Sequence, residues 1–360
     1  MQLLASSARL STGLPAHRRC PTKMYRRIQL GVLAALILSL AAAAHLEPAV
    51  AQDAEPEILA RARVLPGIGA GLIALRRDSA GHYYAAASPA TSISIFSADG
   101  KRLGQIPAAD SSDAKNSAKI AFAADFDVDS TGRVLVADRS ANAVKIFAPS
   151  GSLIATISIP APTSIAVLPG DEFAVTSLRY RRLMMIYGVN GILTRAIGDP
   201  PDFSPHVDFN RTPDLGRVSA DPAGNIYFVF SFLPVPTVRR FDRFGYAGNE
   251  IALDEFAPES HRRELLSLER HSAPSLKPEI NAIGVDAVSQ EIWLAVGDEL
   301  LRFDKDGARL GSYRTRSPSG APLFPKFILV ESDRLLLGTD SFGVFDFARP
   351  AKIPATPPSR

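Results

Sequence analysis

Short apolar runs separated by tight polar turns recur along most of the chain. Residues 126–159, FDVDSTGRVLVADRSANAVKIFAPSGSLIATISI, hold four such runs in succession, each of strand length and bounded by turn-forming residues. An aromatic residue followed four positions later by glycine marks the same hairpin elsewhere. It occurs at Phe96–Gly100, Phe147–Gly151, Tyr187–Gly191, Phe241–Gly245 and Phe303–Gly307. A glycine there supplies the positive φ that a tight hairpin turn requires.

A second marker lies upstream of the first: D-S-A-G at 78–81, D-S-T-G at 129–132 and D-P-A-G at 221–224, with shorter forms at 168–170 and 287–290. Together they define five full units beginning near Ile73, Phe126, Ile165, Val218 and Ile283. A sixth unit, from Phe327 to Phe347, has only three strands. A period of roughly 40 residues marks a stacked repeat architecture. Residues Ile58 to Ile68 have no unit of their own, so they are expected to supply the missing strand and close the ring. The predicted fold is all-β: a six-bladed β-propeller of four-stranded blades whose N-terminal strand closes the last blade, leaving no long edge open.

Unit two resembles an NHL repeat, in which a hydrophobic residue precedes D-x-x-G, then A-D, a polar loop, and an aromatic residue four positions before a glycine. Asp129, Gly132, Ala137, Asp138, Phe147 and Gly151 occupy those places. Units one, four and five match more loosely, and units three and six have drifted. The resemblance spans about residues 58–350 and implies a six-bladed ring. It leaves function open, because such rings serve as protein-binding, RNA-binding and enzymatic scaffolds.

The first 51 residues read as a leader. Basic residues Arg26 and Arg27 precede the apolar run Leu30–Ala44, and Ala49-Val50-Ala51 forms a small-x-small cleavage site. The alternatives are an uncleaved anchor, the only membrane association expected, and a true start at Met24. The mature chain, residues 52–360, is expected to be a single exported domain, periplasmic or extracellular and monomeric. Removing the leader changes the charge picture. It carries six of the 40 Lys/Arg and one of the 37 Asp/Glu, so 34 cations and 36 anions remain, a net of −2. Nucleic-acid binding driven by global charge loses its basis. The single cysteine, Cys20, also lies in the leader, which excludes disulfide and thiolate chemistry from the mature chain.

In a propeller, the loops joining second to third strands share a face with the connections between blades. The insertions fall on that face, at Ala108–Lys119, Gly198–Pro213, Leu253–Pro278 and Arg316–Pro325. Long loops on a rigid scaffold concentrate binding. Part of the third insertion, 255–272, has a helical pattern in which Leu265 and Leu268 share a face.

No catalytic constellation emerges. The four mature histidines, His82, His206, His261 and His271, show no metal-ligand spacing, although His206 and Asp208 alternate along one loop. No P-loop, G-x-S-x-G or G-x-G-x-x-G dinucleotide motif is present, so no cofactor and no metal are expected. Some six-bladed propellers of similar pattern are calcium-dependent lactonases, which gather oxygen ligands at the channel mouth. Here the positions just ahead of the first strands are, to within one residue of register, Ala74 or its neighbour, Asp125, Ser164, Arg217, Asn281 and Lys326. Two of these are cations, which suit an anion better than Ca²⁺; their pairing with Asp125 or with loop carboxylates is the competing reading. The loop SLRYRRL adds Arg179, Tyr180, Arg181 and Arg182 on the same face. Arginines with an interleaved tyrosine can hold carboxylate or phosphate.

Three functions follow as expectations. The first is a non-catalytic module binding a protein, peptide or glycan, with an anionic group received by these residues. The second is a metal-assisted hydrolase, lactonase or lyase with an eroded motif. The third is a structural component of an envelope assembly. Asp138 is expected to cap its turn, and Trp293 to pack between blades.

Overall fold

The computed structural model describes residues 56–68, 71–108, 118–201, 215–233, 235–257, 278–341 and 343–351. Most of three predicted insertions, the helical pattern after residue 257, and His206, Asp208, His261 and His271 lie outside the described residues. Residues Glu55–Arg360 form one compact unit.

Two short strands, β1 (Glu57–Leu59) and β2 (Ala62–Val64), precede the repeats. Blade 1 comprises β3 (Leu72–Arg77), β4 (Tyr83–Ala87), β5 (Ile93–Phe96) and β6 (Arg102–Ile106). Blade 2 comprises β7 (Ala123–Val128), β8 (Val134–Asp138), β9 (Ala143–Phe147) and β10 (Leu153–Ser158). Blade 3 holds β11 (Pro162–Leu168), β12 (Glu172–Ser177), β13 (Met184–Gly188) and β14 (Leu193–Ile197). Blade 4 holds β15 (Gly216–Ala220), β16 (Ile226–Phe230), β17 (Thr237–Phe241) and β18 (Ala247–Ala252). Blade 5 is β19 (Ile280–Val285), β20 (Ile292–Val296), β21 (Glu299–Phe303) and β22 (Arg309–Arg316), and blade 6 begins with β23 (Pro325–Val330), β24 (Arg334–Thr339) and β25 (Gly343–Ala348). Each blade is an antiparallel meander, each first strand lies beside those of the flanking blades, and β23 returns to β3. The fold is therefore an all-β ring of six blades.

The ring closes as the repeat pattern predicts, with one difference. Only Ala62–Val64 completes blade 6, pairing antiparallel with β25. The preceding residues Glu57–Leu59 turn aside and run parallel to β22, giving blade 5 a fifth strand. The N-terminal segment thus straps two blades together, and the stretch Ile58–Ile68 is not one continuous closing strand.

The turn chemistry places the glycines where backbone geometry needs them. The five hairpin glycines, Gly100, Gly151, Gly191, Gly245 and Gly307, have φ between 82° and 95°. At Gly151 a Cβ would also lie 2.9 Å from the Ala108 backbone nitrogen, so two blades approach there through bare backbone.

Both faces of a blade are covered by neighbours, so second strands are continuous apolar runs: Ile226–Phe230 and Ile292–Val296 are buried throughout. Each of the six seams between blades holds its own apolar cluster. Trp293 is fully buried and packs with Tyr313 of its own blade and with Leu337 and Phe347 of blade 6, as expected for a residue between blades. The outermost strands meet water; β18 buries one residue of six.

Buried carboxylates tie the turns to the blades. Asp138 accepts hydrogen bonds from the Ala121, Phe122 and Ala141 backbone N–H groups and pairs with Lys145 at 3.0 Å. It therefore caps its own turn and also fixes the connection entering blade 2. Burial alone would raise this carboxyl, but the donors outweigh it and hold it below the usual carboxylate range. Asp129, Asp286 and Glu291 are depressed in the same way: burial opposes, and hydrogen bonds prevail. They come from the Thr131 hydroxyl, Arg133 and backbone N–H groups at Asp129, from backbone N–H groups and Arg349 at Asp286, and from Arg349 and Arg302 at Glu291. A depressed folded-state pKa contributes stability above the unfolded value and loses it as pH falls through the folded value. Thermal melts are expected to hold steady from neutrality to about pH 5 and to drop steeply below about pH 4. Asp138→Asn should flatten that acid limb; an unchanged limb would remove Asp138 from this role.

Candidate functional site

The central channel is a cavity of about 180 Å³ lined by the six first strands. The predicted mouth residues lie within those strands rather than ahead of them. Arg217, Asn281 and Lys326 are the second residues of β15, β19 and β23, and Asp125 and Ser164 are the third residues of β7 and β11. The one-residue difference has a local cause. The ladder shifts at the second residue of β3, β7, β11, β19 and β23, so Asn281 and Lys326 sit at the bulge itself and Asp125 and Ser164 just after it, while Arg217 pairs in register with Val229.

Two charged residues in the channel were not among the sequence candidates. Arg76 of β3 and Asp127 of β7 lie two positions further along their strands than Ala74 and Asp125. Arg76 reaches Asp125 at 3.0 Å and Asp127 at 3.2 Å. Asp125 also accepts from Ser164 Oγ at 2.7 Å and from the Phe126 and Ile165 N–H groups. Asp127 accepts from the Val128 and Val167 N–H groups. One cation and two carboxylates thus join blades 1, 2 and 3 around the channel. Burial pushes the Asp127 carboxyl above its ordinary value, against the pull of Arg76. Burial disfavours the Arg76 charge, but Asp125 and Asp127 outweigh it and raise that guanidinium further.

The other half of the channel differs. Arg217 Nη1 donates to the Lys326 carbonyl at 3.5 Å, and Lys326 Nζ donates to Asn281 Oδ1 at 3.2 Å. Neither cation has a carboxylate partner among the described residues. On the side of blades 1–3 the single cation Arg76 is held between two carboxylates, and on the side of blades 4–6 two cations meet only neutral oxygens among the described residues. Such an arrangement can hold an oxyanion by charge-assisted hydrogen bonds.

The blade 3 loop behaves residue by residue. Arg179 and Arg181 are exposed and without an ion-pair partner among the described residues. Arg182 pairs with Asp199. Tyr180 turns inward onto the seam between blades 2 and 3, its hydroxyl 2.8 Å from that of Tyr187, and burial raises its pKa. None of the four lines the channel, so the structure sets Arg217 and Lys326 in the channel wall with Asn281 behind Lys326, and Asp125 with Ser164, but leaves the arginine loop separate. Among the described residues, no three His, Cys, Asp or Glu side chains converge as metal ligands.

No family model and no curated protein matches the sequence. Solved structures do resemble it. The structure titled RRP9 WD40 repeats aligns at 14% identity over 82% of this chain and 99% of its own, with a TM-score of 0.53. U3-55K aligns at 14% identity over 80% and 98%, with a TM-score of 0.52. A catalytically inactive virginiamycin B lyase from Staphylococcus aureus with quinupristin aligns at 12% identity over 79% and 83%, with a TM-score of 0.51. At such identities the likeness concerns architecture alone: the chain shares the propeller fold with these proteins.

Proposed function

We propose that this protein is an exported, NHL-like propeller that binds a protein, peptide or glycan without catalysis and receives an anionic group of its ligand at the channel mouth. One observation carries the reading. Arg217 and Lys326 line the opening with only a carbonyl and an amide as partners, whereas Arg76 in the same channel is neutralised twice. At about 180 Å³ the channel has room for a carboxylate or phosphate group but not for a whole ligand. The rest of the ligand would lie across the face that carries Arg179 and Arg181.

Titration calorimetry with inorganic phosphate and with a hexaglutamate peptide tests this. Arg217→Gln with Lys326→Gln should weaken binding by on the order of a hundredfold, the worth of two charge-assisted hydrogen bonds. Replacing Arg179 and Arg181 should cost about two- to fivefold, as exposed charges do. Binding that survives the channel variant unchanged would sink the proposal.

The similarity to a virginiamycin B lyase motivates the second reading, a lyase or metal-assisted hydrolase. It ranks lower because the described channel residues offer a metal two cations and two carboxylates already bound by Arg76. Stoichiometric Ca²⁺ or Zn²⁺ retained through purification without chelator would reverse that order. A stable stoichiometric partner recovered from envelope extracts would instead favour a structural role.

A further inference from the structure

A second open site lies on the opposite face, and its argument is independent of the channel. A groove of about 910 Å³ runs between blades 1 and 2, bounded by the outer strand β6, the turn at Ser130–Gly132 and Pro149. Strand β6 ends its sheet, so its outer edge has no neighbouring strand among the described residues. Leu103 on this strand is 53% exposed, and a Cβ added at Gly104 would meet nothing within 4 Å.

The repeat itself indicates what the groove would accept. Residues 96–104, FSADGKRLG, correspond to residues 303–311, FDKDGARLG, of blade 5. The backbone register is the same in both: Phe96 faces Arg102 and Ile95 faces Gly104, as Phe303 faces Arg309 and Arg302 faces Gly311, each with a bulge between. Arg102 and Arg309 are therefore equivalent side chains. In blade 5, Arg309 donates to Glu255, which arrives in the short segment after β18, and the edge of that blade is covered further along by the chain's own β1. In blade 1, Arg102 donates to Gln105 Oε1 at 2.9 Å, and among the described residues no carboxylate meets it and no strand covers the edge. The other charges at the groove are consumed: Asp78 accepts from the Tyr84 hydroxyl and the His82 N–H and holds His82 Nδ1 at 3.0 Å.

We infer that this groove binds an extended acidic peptide of a partner protein, with a carboxylate on Arg102, an apolar neighbour against Leu103, and backbone along the open edge of β6. Strand addition at an exposed edge is an established mode of peptide capture, and β1 on β22 shows that a blade edge of this protein accepts a parallel strand. A lipid surface would favour a basic cluster, whereas a single arginine with no carboxylate partner among the described residues, beside an edge they leave open, favours a chain with one well-placed acid.

The probe is a blocked pentapeptide with the sequence of residues 253–257, Leu-Asp-Glu-Phe-Ala, and its analogue with Gln in place of Glu. Amide chemical shifts of the full protein are followed during titration. Saturable shifts are expected along β6 and the Ser130–Gly132 turn. Arg102→Gln should weaken binding about two- to fivefold, the worth of one exposed ion pair, and the Gln peptide should show the same loss with no further loss on the variant. Leu103→Asp should abolish the shifts. Absence of saturable shifts on β6, or an Arg102→Gln variant that binds as well as the parent, overturns the inference. So would an Arg102-dependent change in self-association by sedimentation, or Arg102-dependent binding to phosphatidylglycerol vesicles; these would assign the edge to a second copy or to a membrane.

Discussion

A chain lacking residues 52–68 is expected to lose most of its stability and its cooperative thermal transition. The deletion removes β2, and with it the fourth strand of blade 6, together with Leu65 and Ile68, which are buried in the seam between blades 6 and 1. Loss of a buried aliphatic side chain costs about 2–5 kcal/mol, so two of them reach a large part of the roughly 5–15 kcal/mol that holds a domain together. The bared edge of β25 adds unpaired backbone groups. A shorter deletion, of residues 52–59, removes only the strap on blade 5 and the Glu57–Arg316 pair. It should lower the melting temperature while keeping a single transition. Circular dichroism melts of the two truncations separate these effects. If the longer truncation melts like the parent, ring closure does not depend on the N-terminal strand.

Glu291→Ala is expected to be the most damaging single substitution outside the apolar seams. Glu291 and Arg302 are buried together, their side chains 4% and 3% exposed, with the carboxylate 2.8 Å from Nη2. Arg302 also lies over Trp293 and donates to the carbonyls of Pro350 and Ala351, and Arg349 reaches both Glu291 and Asp286. The network fastens the chain end after β25 to blade 5. Removing one partner of a buried pair typically costs about 3–5 kcal/mol, because the remaining charge is stranded. The double variant Glu291→Gln, Arg302→Met should recover much of that loss, since no charge is left without its partner. Chemical denaturation of the single and double variants checks this. A double variant as unstable as Glu291→Ala would mean that the pair matters for shape rather than charge.

The blades were legible in sequence because each needs a glycine at positive φ and an aromatic residue beside it, and these constraints repeat at a fixed spacing. The strap was not. Glu57–Leu59 and Ala62–Val64 are three-residue strands held mainly by backbone pairing, and nothing in EIL or ARV says which blade each will join. The channel was half legible. Arg217, Asn281 and Lys326 lie next to apolar runs and could be placed within one residue, but the bulges that shift Asn281 and Lys326 leave no mark in the sequence. Arg76 is hard to read from sequence because it is the first of the two arginines that close the run LIALRR, where charge reads as the start of a turn; in the ring that position faces Asp125 and Asp127. Arg302 interrupts ELLRF in the same way, and its burial depends on carboxylate and carbonyl partners 11 or more residues away.

An anomalous difference map from crystals soaked in bromide tests the channel most directly. A bromide is expected between the Arg217 guanidinium and Lys326 Nζ, with no peak beside Arg76, which two carboxylates already hold. A channel free of bromide in crystals that bind it elsewhere would mean that Arg217 and Lys326 do not form an anion site.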